Sequence, residues 1–146
     1  MIGQYILTGL VLVISAYTDI RYRKIYRSVI VIHLIAALVL HLVMQDCEAW
    51  AALMGLVPGL GFLLLAVITH ESVGLGDGFL MLSCGFSLGT WKWLAVLFTS
   101  FVCVGLWALY LICFRGGKRK TAIPYVPFLL MGAVIQGIIQ VIQGIM

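Results

Sequence analysis

Charged positions along this chain are few and clustered, and long runs without any charge separate them. The 14 charged side chains fall in five groups. The charge-free stretches between the groups are residues 1–18, 28–45, 49–70, 78–91, 93–114 and 121–146. A helix crosses the hydrocarbon core of a bilayer with about 20 apolar residues, so five of the six stretches predict membrane spans directly. The fourth is too short by itself.

Six transmembrane helices are the predicted architecture. A closed β-barrel would show alternating strands of about 10 residues instead of uninterrupted apolar runs. We therefore predict an all-α polytopic membrane protein, with about six helices in one membrane domain of residues 1–146. The expected spans are residues 2–18, 28–45, 49–69, 73–91, 93–114 and 122–145, each to within a few residues.

The overall composition agrees with a membrane environment. The chain has 146 residues, of which 64% are hydrophobic and 10% charged, and its mean hydropathy is +1.18. One small soluble domain could not bury that much apolar surface. The lipid bilayer is therefore an expected partner of this chain.

The distribution of basic residues predicts the orientation of the bundle. The loop after span 1, RYRKIYR, and the loop after span 5, RGGKRK, hold all but one of the nine Lys and Arg residues. Only Lys92 lies on the opposite side. The positive-inside rule makes the basic side cytoplasmic, so both termini are expected to be extracytoplasmic. Topology and contact with anionic lipid explain the net charge of +4, and no nucleic acid partner is needed to explain it.

The stretch GLGDGFL, residues 74–80, carries the carboxylate of Asp77 into this apolar setting. For span 4 to cross the bilayer it must begin upstream, near Val73, which places Asp77 about one turn below the surface. Acidic residues at that depth face a bundle interior or a wet cavity and have a partner. Asp19, in SAYTDIRYRKI, ends span 1 on the same predicted side.

Two interpretations of these acids remain open from the residues alone. In one, Asp19 or Asp77 pairs with Arg21 or Arg23 and only anchors the helix ends. In the other, the two carboxylates come together, share a proton and activate water, which is aspartyl protease chemistry.

The glycines around Asp77 favour the second interpretation. Gly74, Gly76 and Gly78 would each cost about 0.8–1.0 kcal/mol relative to alanine in a helix interior. They suit a backbone that an extended peptide must approach closely.

These residues together resemble a known family. The GxGD of Gly74, Gly76 and Asp77, the earlier TDIRYRKI with Asp19, and the proline pair in IPYVPFLL are similar to motifs of the type IV prepilin peptidases, which are bacterial membrane aspartyl proteases. The resemblance covers nearly the whole chain. It implies that Asp19 and Asp77 are the catalytic pair, at the cytoplasmic ends of their helices.

The resemblance also implies a substrate and a location. The family removes a short basic leader from prepilin-like membrane proteins, and this chain resembles its short, peptidase-only forms, without N-methyltransferase activity. The expected location is the bacterial cytoplasmic (inner) membrane, and the expected role is to process subunits of a type IV pilus or secretion assembly. The positions expected to support the motifs are Gly74, Gly76, Gly78, Arg21, Lys24, Pro124 and Pro127.

Three positions depart from the family pattern. Tyr26 and Arg27 stand where the family usually has Pro and Asn, and Phe79 stands where it usually has Lys. Both acids are intact, so these changes bear on substrate choice.

Metal and cofactor chemistry is not expected. The four cysteines form no CxxC pair, no HExxH motif exists, and His33 and His41 lie about 12 Å apart by helical rise. The rival functions are a small transporter coupled to protons or cations and an inactive membrane scaffold. Transport is less favoured because the sequence offers no polar continuation beyond the acids except the glutamines of span 6.

Several remaining features predict helix packing first. Gly55 with Gly59, and Gly85 with Gly89, form GxxxG pairs whose default role is close packing, with homo-oligomerisation left open. The three span-6 glutamines favour interhelical hydrogen bonding over a substrate groove; they are Gln136, Gln140 and Gln143.

Overall fold

The computed structural model describes residues 2–22, 25–44, 49–68, 74–115 and 125–145. These residues form six helices and no strand, which confirms the predicted all-α fold. The helices are α1 (Ile2–Tyr22), α2 (Arg27–Met44), α3 (Ala49–Ile68), α4 (Leu75–Leu88), α5 (Thr90–Arg115) and α6 (Val126–Ile145). Four of them, α1, α3, α5 and α6, are long and apolar enough to cross a membrane, whereas α2 and α4 are shorter.

Helix α4 is short because it begins and ends at glycines. Gly74 caps its N-terminus in an extended conformation. At the other end Gly89 has a φ of 76°, a left-handed conformation that favours glycine, and its N–H bonds the Gly85 carbonyl at 2.9 Å. The predicted start near Val73 lies outside the described residues.

Helix α4 has only 14 residues, and its position inside the bundle explains why it need not be as long as the helices that face lipid. It contacts α1, α2, α3 and α5. More than half of its residues are buried; they are Gly78, Leu80, Met81, Ser83, Cys84, Gly85, Ser87 and Leu88. Helix α4 is therefore the inner helix, and its neighbours present most of the apolar surface.

Glycines bring α3 and α4 into backbone contact. A side chain at Gly55 would collide with the backbone of Gly85, and a Cβ at Gly59 would lie 2.6 Å from the backbone nitrogen of Leu82. The predicted packing role of the GxxxG pairs is confirmed at these positions. Their contacts are made within one chain.

Large apolar side chains cover the outside of the bundle. Examples with about two thirds or more of their surface exposed are Ile32, Leu42, Val43, Phe98 and Phe114. A soluble monomer rarely exposes contiguous apolar patches of more than a few hundred Å². Such a surface fits lipid contact, while the interior holds residues such as Leu12, Leu80, Trp93 and Leu129.

Candidate active site

One face of α1 carries polar side chains into the bundle. Gln4, Thr8, Ser15 and Asp19 are separated by four, seven and four residues, and at 3.6 residues per turn these spacings place them on the same face. Gln4, Thr8 and Ser15 are buried and Asp19 is partly buried. The face therefore points at the neighbouring helices and away from the surrounding lipid.

A hydrogen bond between α1 and α4 fixes the position of this face along the axis of α4. The Thr8 hydroxyl donates to the Ser87 hydroxyl at 3.1 Å, and both residues are fully buried. Asp19 lies 11 residues further along α1, and Asp77 lies 10 residues back along α4. Since a helix rises about 1.5 Å per residue, each acid is about 15–17 Å from that bond. The two antiparallel helices thus bring Asp19 and Asp77 to the same end of the bundle, here called the aspartate end.

The two carboxylates are close enough for their charges to act on each other. Asp77 lies in the first turn of α4, where its backbone N–H bonds the Gly74 carbonyl at 3.0 Å. Both acids are only partly buried. The pair is therefore held by two different helices and keeps access to the outside of the bundle.

Tyr125, just before α6, is a further member of this end that the sequence analysis did not single out. Its hydroxyl is buried, and the charge of Asp77 acts on it electrostatically. Its ring packs on Phe101 at a centroid distance of 5.7 Å, and Phe101 stacks on Phe62 at 6.1 Å. Helices α1 and α4 and the residue that precedes α6 therefore contribute to this end. The sequence signal that could have identified Tyr125 is its place between the two prolines of IPYVPFLL.

The three motif glycines have different surroundings. Gly74 is exposed, and a Cβ there would lie 3.4 Å from the Asp77 carboxylate. At Gly76 a Cβ would lie 3.3 Å from the Ile25 side chain. At buried Gly78 it would lie 2.8 Å from Leu63 of α3. Only Gly74 keeps an open approach to the carboxylate, while Gly78 is needed for helix packing.

Two of the other predicted supporting residues are described. Arg21 is exposed, donates to the Tyr17 hydroxyl at 3.1 Å and lies over the Tyr22 ring at 5.8 Å. Pro127 lies in the first turn of α6, where a missing N–H leaves no helix bond unmade. Lys24, Arg23 and Pro124 lie outside the described residues.

Two of the three residues that depart from the family pattern line the same groove. Arg27 and Phe79 line a groove of about 300 Å³ together with Ile30 and Val31. Tyr26 is exposed, and its carbonyl accepts a bond from the N–H of Val29 at 3.1 Å. The start of α2 thus shares a groove with Phe79, two residues after Asp77.

Buried polar contacts continue beyond the aspartate end, so the expectation of no polar continuation outside span 6 is wrong. His33 Nδ1 and the Ser83 hydroxyl are 2.5 Å apart, and both residues are buried. His41 Nε2 bonds the Phe86 carbonyl at 2.9 Å. The spacing of polar residues in α1 was the available sequence signal. These groups hydrogen-bond to one another across helices, which is the usual role of small polar residues in membrane bundles.

One span-6 glutamine makes the predicted interhelical hydrogen bond. Gln136 donates to the Thr99 hydroxyl at 2.8 Å and so joins α6 to α5. Gln140 and Gln143 instead line an apolar groove of about 650 Å³ between α1 and α6, near Tyr5.

Metal-ligating side chains do not cluster in the part of the chain that the structure describes. No group of three or more His, Cys, Asp or Glu residues is placed there to share an ion.

Comparison with known proteins identifies the family of this chain. Residues 6–109 match the model of the type IV leader peptidase family. The chain is 33% identical over 129 residues to a prepilin leader peptidase/N-methyltransferase of Bacillus subtilis, an alignment that covers 85% of this chain and 50% of that protein. The chain therefore spans about half the length of that relative, and no solved structure matches it. The family match includes both Asp19 and Asp77, and the chain belongs to the type IV leader peptidase family.

Proposed function

We propose that this protein is a membrane aspartyl endopeptidase that removes the short basic leader of prepilin-like proteins. The observation that supports it best is the location of Asp19 and Asp77 at the same end of the bundle, where the charge of one acts on the other, with Gly74 leaving an approach to Asp77 free of side chains. The name of the Bacillus subtilis relative supports the choice of substrate. The peptidase role is proposed without the methyltransferase activity that the relative's name includes.

The proposed mechanism uses the two acids as a unit. Two neighbouring carboxylates do not both ionise readily, so one is ionised while the other holds a proton. The ionised group takes a proton from water as the water oxygen attacks the scissile carbonyl carbon. The protonated group donates to the carbonyl oxygen. The C–N bond then breaks as its nitrogen gains a proton, so one water is consumed and a carboxylic acid and an amine are formed.

The aspartate end is proposed to face the cytoplasm of a bacterial inner membrane. The concentration of basic residues in the two loops on that side supports this orientation. Cysteine labelling tests it in a background whose four native cysteines are replaced. A cysteine at Ser28 should resist a membrane-impermeant reagent added outside, whereas native Cys47, restored alone, should react. The reverse pattern would refute the orientation.

The test of activity is incubation of the purified protein, in detergent or lipid, with a prepilin-type substrate, read by mass spectrometry. We expect one cut at the boundary between leader and hydrophobic segment, which leaves that segment whole. Asp77→Asn should give no product, while Asp46→Asn, a matched change outside the site motifs, should cleave like the wild type. Cleavage within the hydrophobic segment, or equal cleavage by Asp77→Asn, would contradict the proposal.

The buried polar contacts between α1, α2 and α4 make proton transport the second candidate. Fully buried Leu12 lies between Thr8 and Ser15 on the polar face and interrupts it. Proteoliposomes with an internal pH dye distinguish the two functions. Peptidase function predicts no proton flux above empty vesicles, and transport predicts flux that is lost in Asp19→Asn.

A further inference from the structure

We infer that Tyr125 is a third catalytic residue of the aspartate end, whose phenol donates a hydrogen bond to the carbonyl oxygen of the scissile peptide. This inference rests on the proposed peptidase function. It assigns to Tyr125 the stabilisation of the negative charge that develops on that oxygen when water attacks.

The first observation is that the Tyr125 hydroxyl is buried and has no hydrogen-bond partner among the described residues. Buried hydroxyls in folded proteins nearly always have a partner, so an unpaired one requires an explanation. Three other side-chain atoms of the described helices share this state: Ser15 Oγ, His33 Nε2 and Trp93 Nε1. Among these residues Tyr125 is the one that immediately precedes α6 at the aspartate end, and the charge of Asp77 acts on its hydroxyl.

The second observation is that the ring of Tyr125 is held in place. Its carbonyl accepts the N–H groups of Phe128 at 3.0 Å and Leu129 at 3.1 Å, so the first turn of α6 fixes its backbone. The ring packs on Phe101, which in turn stacks on Phe62. The fixed backbone and the contact with Phe101 hold the ring at the aspartate end, so the donor is in position before a substrate arrives.

Asp77 acts on the Tyr125 hydroxyl, yet no hydrogen bond joins them in the described part of the chain. A phenol is a neutral donor at ordinary pH, with a usual pKa near 10. A peptide carbonyl bound between the acids and the phenol would accept the unused O–H. A donor in that position would be complementary to the oxyanion of the transition state, which is where a fixed donor accelerates the reaction most.

The test is Tyr125→Phe, which removes only the hydroxyl and keeps the ring contacts. We expect kcat to fall about 100-fold, the lower end of the range for loss of one oxyanion donor, with KM within about 3-fold. The melting temperature should stay equal or rise, because the variant removes an unpaired buried group. Tyr110→Phe, at an exposed position of α5, is the matched control and should leave kcat unchanged.

Each outcome decides between this inference and others. Wild-type kcat in Tyr125→Phe would mean that the hydroxyl is only buried or bound to water, and would overturn the inference while the peptidase function stands. A fall in kcat matched by a fall in melting temperature would assign Tyr125 a structural role and also overturn it. Absence of cleavage by the wild-type protein in the same assay would refute the proposed function and this inference with it.

Discussion

Thr8 of α1 donates a buried hydrogen bond to Ser87 of α4, and this bond lies at almost the same distance from Asp19 along one helix as from Asp77 along the other. A shift of one helix by a single turn would separate the acids by about 5 Å along the bundle axis. The polar contact far from the acids and the packing of inner helix α4 therefore bear directly on the geometry of the site.

The contribution of this bond can be measured with a double-mutant cycle. Thr8→Val and Ser87→Ala should each lower the free energy of unfolding by about 0.5–1.5 kcal/mol, because each leaves the remaining buried hydroxyl without its partner. The double variant should be less destabilised than the sum of the two single variants, since neither partner is then left unpaired. Unfolding in detergent would be followed by circular dichroism, with Ser28→Ala as an exposed control. Strictly additive losses would mean that the bond does not couple α1 to α4.

The two acids should behave as one catalytic unit. Asp19→Asn and Asp77→Asn should each reduce cleavage about a thousandfold or more, because an amide can neither take a proton from water nor share one with its neighbour. The double variant should be no worse than either single variant. The measurement is kcat for all four proteins, with yield and melting temperature as checks of folding. If the acids only anchor the helix ends, activity should instead follow stability, and Arg21→Gln should have the same effect.

The glycines on either side of Asp77 should separate activity from stability. Gly74→Val should lower the melting temperature only by the weaker N-cap of α4, because Gly74 has φ −61° and ψ 125°, which any residue adopts. It should lower kcat/KM, since the new side chain lies against the Asp77 carboxylate. Gly78→Ala should lose about 1–3 kcal/mol of stability by overpacking against Leu63, with activity per folded molecule retained. The reverse assignment of the two effects would refute these roles.

The groove shared by Arg27 and Phe79 predicts a coupled substitution. Phe79→Lys alone places a second cation beside Arg27 and should lower the melting temperature. Adding Arg27→Asn removes the repulsion and should restore the melting temperature. The double variant then has the residues that the resemblance predicts at both positions. Thermal unfolding of the two singles and the double variant measures the coupling, and Phe114→Lys, at an exposed position near the same end of the bundle, controls for the charge alone. A double variant no more stable than Phe79→Lys would show that the two positions act independently.

Much of the fold could be predicted from local properties of the chain. Charge-free runs of about 20 residues define membrane helices because unpaired backbone groups and charges are costly in hydrocarbon. The GxxxG pairs at Gly55 and Gly85 were visible as packing sites because small residues let helix backbones approach closely. The GxGD motif and Asp19 were recognisable as candidate site residues from their sequence context, since carboxylates are rare in such segments.

Other features depend on which helices become neighbours, and the sequence pattern does not contain that information. Nothing in α4 alone shows that Gly78 meets Leu63 while Gly74 stays open, because the difference comes from the position of α3. Arg27 and Phe79 are 52 residues apart and meet only because α2 packs on α4.

The sequence by itself determined that this protein is a bundle of membrane helices with two acids at predicted helix ends, because the cost of placing polar groups in lipid acts on each segment separately. Tertiary structure alone decided that α4 is the inner helix. It also decided that the Thr8–Ser87 hydrogen bond holds Asp19 and Asp77 at the same end of the bundle, and that the charge of Asp77 acts on the unpaired Tyr125 hydroxyl. Those relationships arise from packing between helices distant in the chain, where shape and hydrogen bonding, not hydropathy, select the neighbours.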